Sequence, residues 1–469
     1  MVNFVFQRTL KLQYKRLKLD NTHAYGDNVK DSTLIRIKMI FKDSQVAVID
    51  GVRTPFMKSP GGKAQDLKAY DLARMTLNQI KHRYDFLQSE CDQVVMGNVI
   101  QNAATSNVAR EAMIGAGIDV NTPAYTVTMA CISGNRAITN TAQDIQSGAI
   151  QIGLAGGVES LSDAPVRISH ALKKTLMKAQ KAKGFKDYWQ VFKQFKFKSL
   201  VPVTPAIAEF STGLTMGQDA DQLAAKFNIS REQQDAYALR SHQMAAKAWE
   251  EGHFEHEVEF ITLPPQFEVI KQDNTFYADS SMEKLASLRP VFVKPHGTVT
   301  AGNASPITDG ASVSLLMNLA EAKKRKLNPQ VVIEGYAYSG QTPKGELLLG
   351  PAYTISRLLE EAELSLDDID VYEIHEAFAG QVLANLAALQ DKDFCKNKLG
   401  RDKPVGEIPM EKINTQGGSL SLGHPFGATG SRLLTAATRR LIQSKGQYAL
   451  ISACAAGGLG SSILLKKIG

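Results

Sequence analysis

Cysteine is scarce: the chain has four in 469 residues, Cys91, Cys131, Cys395 and Cys454. None is spaced as CxxC, which excludes a disulfide framework and a cysteine-rich zinc site and points to a reducing compartment. No apolar run approaches the roughly 18 to 20 residues needed to cross a bilayer, so no transmembrane helix is expected. A global excess of one charge is also missing, since 54 Lys and Arg face 47 Asp and Glu. No recognised binding pattern accompanies the net charge, so nucleic acid is not an expected partner.

The positive excess is local. Residues 1–19 carry Arg8, Lys11, Lys15, Arg16 and Lys18 with no acid, interleaved with Phe4, Phe6, Leu10 and Leu12. This fits a mitochondrial transit peptide, or a basic extension on a bacterial protein, which the lack of serines favours. The second excess, residues 167–198, holds ten Lys or Arg against Asp187 alone, with Leu176, Tyr188, Trp189, Phe192 and Phe197 among them. A basic, aromatic amphipathic stretch reads as a membrane-surface or partner-binding element, or as a solvated helix packed on its own domain.

With 43% apolar residues the chain is long enough for two or three domain-sized units. A buried strand is expected from Gln45, a helix over 70–84, a strand over 94–100 and helices within 213–256, with Ser230 and Gln233 forming a capping box. Strands alternating with helices predict a parallel, doubly wound sheet. There is also an internal repeat. DIQSGAIQIGLAGG (144–157) is similar to LIQSKGQYALISACAAGG (441–458), and CDQVVMGNVI (91–100) to IDVYEIHEAF (369–378). Equal steps back from each Ile-Gln-Ser land on Cys131 and on Ala428, just after His424, where a loop enters a helix. A helix start favours a thiolate and an oxyanion, so Cys131 is expected to be activated there.

Four blocks carry the chemistry: Cys131 in MACISG, His375 in YEIHEAF, His424 in LGHPFGATG and Cys454 in SACAAGG. Taken singly, each cysteine reads as an inert buried thiol and His375 as a satisfied core histidine. Gly423, Pro425 and Gly427 place His424 on a turn, where burial for packing gains little. Together they supply one thiol to attack a carbonyl, one to move a proton, and imidazoles to activate the first and steady an oxyanion.

In this order the blocks resemble the thiolase family. TVTAGNASPITDGA (298–311) resembles that family's Ala-Gly-Asn-Ala-Ser loop, whose serine, here Ser305, borders the pantetheine. Within GLTMG, Met216 and Gly217 align with residues near the acyl chain. The His-Glu-Ala-Phe spelling and the basic insertion are similar to the branch containing β-subunits of fatty-acid oxidation complexes. The resemblance implies an α/β fold of two similar halves in a layered αβαβα core with an inserted, mainly helical loop domain. The expected segments are an extension (1–44), an N-terminal half (45–160 and 291–330), the insertion (161–290) and a C-terminal half (331–469).

The resemblance further implies thiolysis of 3-ketoacyl-CoA to acetyl-CoA and a shortened acyl-CoA, with coenzyme A as co-substrate and no bound cofactor or metal. In the roles it implies, Cys131 is the acylated nucleophile, His424 its proton acceptor, and Cys454 the second acid and base. N–H donors of His375 and His424 hold the first oxyanion, and backbone N–H groups of Cys131 and Ala456 the second. A homodimer within a heterotetramer containing a hydratase/dehydrogenase subunit is likewise implied, in the cytoplasm of a bacterium or the mitochondrion of a eukaryote. Alternatives are a biosynthetic acetoacetyl-CoA thiolase, a decarboxylating condensing enzyme, which has no use for Cys454, or a membrane-tethering scaffold with a degenerate site. Two departures stand out: the usual Cys-x-Gly is Cys454-Ala455-Ala456, and residues 1–44 have no counterpart in the family core.

Overall fold

The computed structural model describes residues 38–41, 43–166, 168–193, 195–201 and 208–468. Residues 1–19, with both readings of that basic segment, lie outside this range. A short strand, Lys38–Ile40, pairs antiparallel with residues 335–337 and Phe41 after it is buried, so the core begins before the expected Gln45; strand β1 (Val46–Arg53) follows as an apolar run buried along most of its length. Helix α1 (Ala69–Arg83) turns Ala69, Leu72, Ala73, Leu77 and Ile80 inward at helical spacing. Strand β2 (Gln93–Gly97) ends earlier than its pattern predicts, because the N–H groups of Val99 and Ile100 donate to the Glu159 carboxylate at 3.2 and 2.8 Å.

Then come β3 (Ala124–Val127), α2 (Ser133–Gln146) and β4 (Ile152–Glu159). The next stretch is largely helical: α3 (His170–Lys181), α4 (Phe185–Lys193), α5 (Met216–Lys226) and α6 (Arg231–Glu250). The expected box caps α6, with the Gln233 N–H donating to Ser230 Oγ at 3.2 Å and Gln233 Oε1 accepting from the Ser230 N–H at 2.8 Å. The chain closes with β5 (Thr308–Asn318), β6 (Val331–Gly340), α7 (Gly350–Glu361), β7 (Val371–Ile374), α8 (Ala379–Gln390), α9 (Thr429–Gln443), β8 (Tyr448–Ala455) and β9 (Leu459–Lys467).

Hydrogen bonds join the strands in the order β7-β8-β9-β6-β1-β5-β4-β2-β3. The sheet is mixed, not parallel as the alternation of strands and helices predicts. Only β2 with β3, β2 with β4, and β7 with β8 run parallel. The reason is local: β8 and β9 are joined by a short turn in which Gly457 and Gly458 adopt φ of 86° and 70°, and so tight a connection returns the chain antiparallel. The series β2-β4-β5-β1 and β7-β8-β9-β6 share order and sense, so the internal repeat is a repeat of topology.

Three apolar clusters show the layering. One lies between the first series and α1. A second lies between the other series and α5, α6, α7 and α8. The third joins Ile138, Ala142 and Ile145 of α2 and Leu433, Leu434 and Leu441 of α9 to Val46, Leu316, Ile451 and Ile463 of both series. Helices α2 and α9 are thus the middle layer of an αβαβα arrangement. Their starts meet at glycine: a Cβ on Gly134 would lie 2.6 Å from Gly427 O, and one on Gly430 2.3 Å from Asn135 N. That approach brings the Cys131 and His424 loops together.

Candidate active site

Cys131 lies in the turn between β3 and α2. Ala130 before it takes a left-handed φ of 46°, and Ser133 Oγ locks the turn by accepting from the Met129 N–H and donating to Ala130 O, both at 2.7 Å. The residue is partly exposed, yet burial around its thiol dominates and pushes its pKa up to about 11, opposed by the N–H groups of Ala456 and of Cys131 itself. The resting group is therefore the thiol, and its activation needs a base that takes the proton. The helix start is where the repeat placed it, but desolvation outweighs it.

Cys454 is buried on β8, and its pKa is raised well above the ordinary value by burial, then by Cys131 and Asp219. Beyond it, the Ala456 N–H lies near enough to the Cys131 sulfur to favour its thiolate, and the Gly457 N–H is held by Glu209 Oε1 at 2.7 Å. His375 caps β7, its N–H donating to Ser452 O of β8 at 2.8 Å, two residues before Cys454. The His375 and His424 ring centroids are 4.1 Å apart. These links gather Cys131, His375, His424, Cys454 and Ala456 at strand ends and helix starts of both halves.

Burial pushes His424 down to about 3 with help from the Arg432 charge, and burial, His424 and Arg432 push His375 well below its usual range. Both imidazoles are therefore neutral near pH 7. Thr429 Oγ1 donates to Pro425 O at 3.0 Å, so at 2.7 Å from His424 Nδ1 it accepts that nitrogen's proton. This leaves Nε2 of His424 a bare lone pair, buried and without a protein partner, as a proton acceptor requires. Nε2 of His375 is buried and unpartnered as well.

Ser305 lines a cavity of about 570 Å³ together with Lys58, His242, Tyr277 and Lys284. Burial holds His242 down to about 4, so the positive charges there belong to the lysines. The cavity reaches Pro306, whose carbonyl accepts the His424 N–H at 3.3 Å, but its lining includes none of Cys131, Cys454, His375 and His424. Met216 and Gly217 open α5. The missing side chain of Gly217 admits the Phe292 ring, which stands edge-on to Phe378 of the His375 loop with centroids 6.0 Å apart. They form an apolar wall behind that loop.

The sequence reading missed the buried groups behind these residues. Glu376 accepts from Tyr237, Ser241, Asn414 Nδ2 and the Leu420 N–H. Glu159 accepts from the Gly427 N–H at 3.0 Å, tying the His424 loop to the other half. Glu373 pairs with Arg432 and Arg440. One signal was available: an acid inside an apolar strand, as in GLAGGVES and VYEI, must have partners.

Residues 46–320 match the family profile described as "Thiolase, N-terminal domain" and residues 327–467 the one described as "Thiolase, C-terminal domain". The chain is 48% identical over 421 residues to the mitochondrial trifunctional enzyme subunit beta of Bos taurus, covering 90% of this chain and 88% of that protein. It is 43% identical over 425 residues to the 3-ketoacyl-CoA thiolase of Shewanella loihica, covering 91% and 97%. Among solved structures, human mitochondrial 3-ketoacyl-CoA thiolase superposes with a TM-score of 0.75 at 32% identity, over 90% of this chain and 99% of that one.

Proposed function

The chain belongs to the thiolase family, and from that premise we propose how its site performs the CoA-dependent cleavage of 3-ketoacyl-CoA. His424 Nε2 takes the Cys131 proton as the sulfur attacks C3 of the substrate. The carbon attacked is the same in both half-reactions, so its oxygen lies against the two N–H groups beside the sulfur, those of Cys131 and Ala456, each time. This revises the assignment read from the sequence, which put the first oxyanion on the imidazoles. As the C2–C3 bond breaks, its electrons pass to the departing acetyl-CoA enolate, whose oxygen rests on Nε2–H of His375 and the newly protonated His424. The Cys454 thiol then protonates C2. In the second half, the Cys454 thiolate takes the proton of an incoming CoA thiol, the CoA thiolate attacks the acyl-cysteine, and Cys131 leaves with the proton returned by His424.

The observation that carries this reading is the pair of buried, unpartnered Nε2 atoms on imidazoles 4.1 Å apart, in a site that also holds two thiols with opposite needs. The nucleophile is occupied as a thioester when the second proton must move, so one thiol cannot serve both steps. The Ala at 456 contributes its N–H as a glycine would. A decarboxylating condensing enzyme leaves Cys454 idle, and a degenerate scaffold has no need of a buried, correctly hydrogen-bonded base. Thiolysis assays with short-, medium- and long-chain 3-ketoacyl-CoA, with and without any copurifying partner, test the reading and separate it from a biosynthetic acetoacetyl-CoA enzyme. No thiolysis at any length would overturn it.

Coenzyme A is assigned to the Ser305 cavity, where Lys58 faces its phosphates and Lys284 would reach them by exchanging its ion pair with Asp279 on the same wall; a related human thiolase structure contains CoA. The relatives named as a subunit beta support assembly with a hydratase/dehydrogenase subunit. The edge strand β3, half-buried throughout and paired on one side only, supports a homodimer. Helices α3 and α4 bury no residue and expose Phe185, Trp189 and Phe192 among lysines, which supports peripheral contact with an anionic membrane. Among the described residues no helix is long and apolar enough to cross one. The compartment proposed is the cytoplasm for a bacterial source and the mitochondrion for a eukaryotic one. Segments 1–44, 45–160 with 291–330, 161–290 and 331–469 remain the proposed division of the chain.

A further inference from the structure

We propose that Ser419, held by Arg432, is the positioning residue that fixes His375 as its Nε2–H tautomer and so makes it a permanent donor to the enolate oxygen. The inference rests on the thiolase reading above. Ser419 is buried at the start of the short helix Ser419–Leu422, four residues before the His424 turn. Its hydroxyl has two neighbours. Arg432 Nη2 lies at 2.9 Å and can only donate, and His375 Nδ1 lies at 2.9 Å and does either, according to tautomer.

The count of protons decides between the tautomers. If Nδ1 carried the proton, Ser419 would accept from both neighbours, and its own hydroxyl hydrogen would be left without an acceptor in a buried site. If Ser419 donates to Nδ1, each of these groups is satisfied, and the proton of His375 sits on Nε2, the one ring atom without a protein partner. The Arg432 charge acts in the same direction, because a cation bound at Oγ makes the hydroxyl a better donor. Arg432 is itself set by Glu373 at 3.4 Å, and Glu373 is also bound by Arg440, so the guanidinium is anchored from behind.

The same arrangement divides labour between two stacked imidazoles. His375, with its proton on Nε2 and Nδ1 taken by Ser419, offers no lone pair to the site, so the proton released by Cys131 goes to His424, whose Nδ1–H is fixed by Thr429 and whose Nε2 is bare. One imidazole is thus a fixed donor and the other a shuttle.

The test is 15N NMR of protein labelled in its histidine rings, with His375 assigned by the signal lost in His375→Asn, alongside kinetics of Ser419→Ala. The wild type should show His375 as a neutral ring protonated at Nε2. Ser419→Ala should lose that single-tautomer signature and lower kcat roughly 10- to 100-fold, the worth of a hydrogen bond in a charged network, with KM for either substrate little changed. A wild-type His375 protonated at Nδ1, or Ser419→Ala with a wild-type kcat, would overturn the proposal. Should Ser419→Ala fail to fold, the wild-type spectrum alone decides. Wild-type protein that shows the Nε2–H signature but cleaves no 3-ketoacyl-CoA would sink the reaction assigned above while supporting the tautomer relay.

Discussion

The raised pKa of Cys131 gives a quantitative account of its reactivity. With the thiol pushed up to about 11, the thiolate fraction at pH 8 is about one in a thousand, against about one in four for a free cysteine of pKa about 8.5. Alkylation of Cys131 by iodoacetamide, followed by peptide mass mapping to separate it from the other three cysteines, should therefore run roughly 200-fold slower than that of a free thiol. The rate should climb about tenfold per pH unit up to about pH 10. His424 is neutral across this range and adds no charge, so His424→Asn should leave the alkylation profile almost unmoved. Thiolysis behaves differently, because there the proton passes to His424 during attack and no free thiolate need accumulate. Its kcat/KM should lack the tenfold-per-unit rise and should collapse in His424→Asn. An alkylation plateau below pH 8.5, or a thiolysis rate tracking the alkylation profile, would refute the coupled proton transfer.

Three further outcomes follow from the same geometry. His375→Ala removes one donor to the enolate oxygen and should lower kcat about 100- to 1,000-fold with the fold intact by circular dichroism; wild-type rates would exclude the role. Glu159 is buried and its pKa raised to about 7, mainly by desolvation, so the native state binds its proton more tightly than the unfolded chain does. Its contribution to stability should fall as pH rises through the window from about 4.5 to 7, by on the order of 3 kcal/mol, and Glu159→Gln should flatten that part of the melting profile. A slope unchanged in the variant contradicts the assignment. Replacing Lys173, Lys174, Lys178 and Lys181 by Gln should weaken sedimentation with anionic vesicles, most visibly at low salt, without changing thiolysis of soluble substrates; equal binding removes the membrane role of α3 and α4.

The parts of the fold and site legible in the sequence were those set by local chemistry. The Ser230 box, the apolar run of β1, and the loop-to-helix entries at Cys131 and Ala428 each follow from residues a few positions apart. Strand direction did not, because the alternation of strands and helices says nothing of a hairpin made by Gly457 and Gly458. The raised pKa of Cys131 is not legible for a related reason: a helix start is visible in one segment, whereas the desolvation that opposes it comes from packing against other parts of the chain. The roles of Ser419, Arg432 and Glu373 stayed hidden too, since they come from contacts that span 13 residues between Arg432 and Ser419, 44 between Ser419 and His375 and 59 between Arg432 and Glu373.

The central claim is that two thiols hold two separate roles, and Cys454→Ala tests it most directly. Incubated with a 3-ketoacyl-CoA, this variant should gain the mass of one acyl group, mapped to Cys131, while steady-state thiolysis is lost. An adduct that never forms, or turnover that continues at the wild-type rate, would contradict the account.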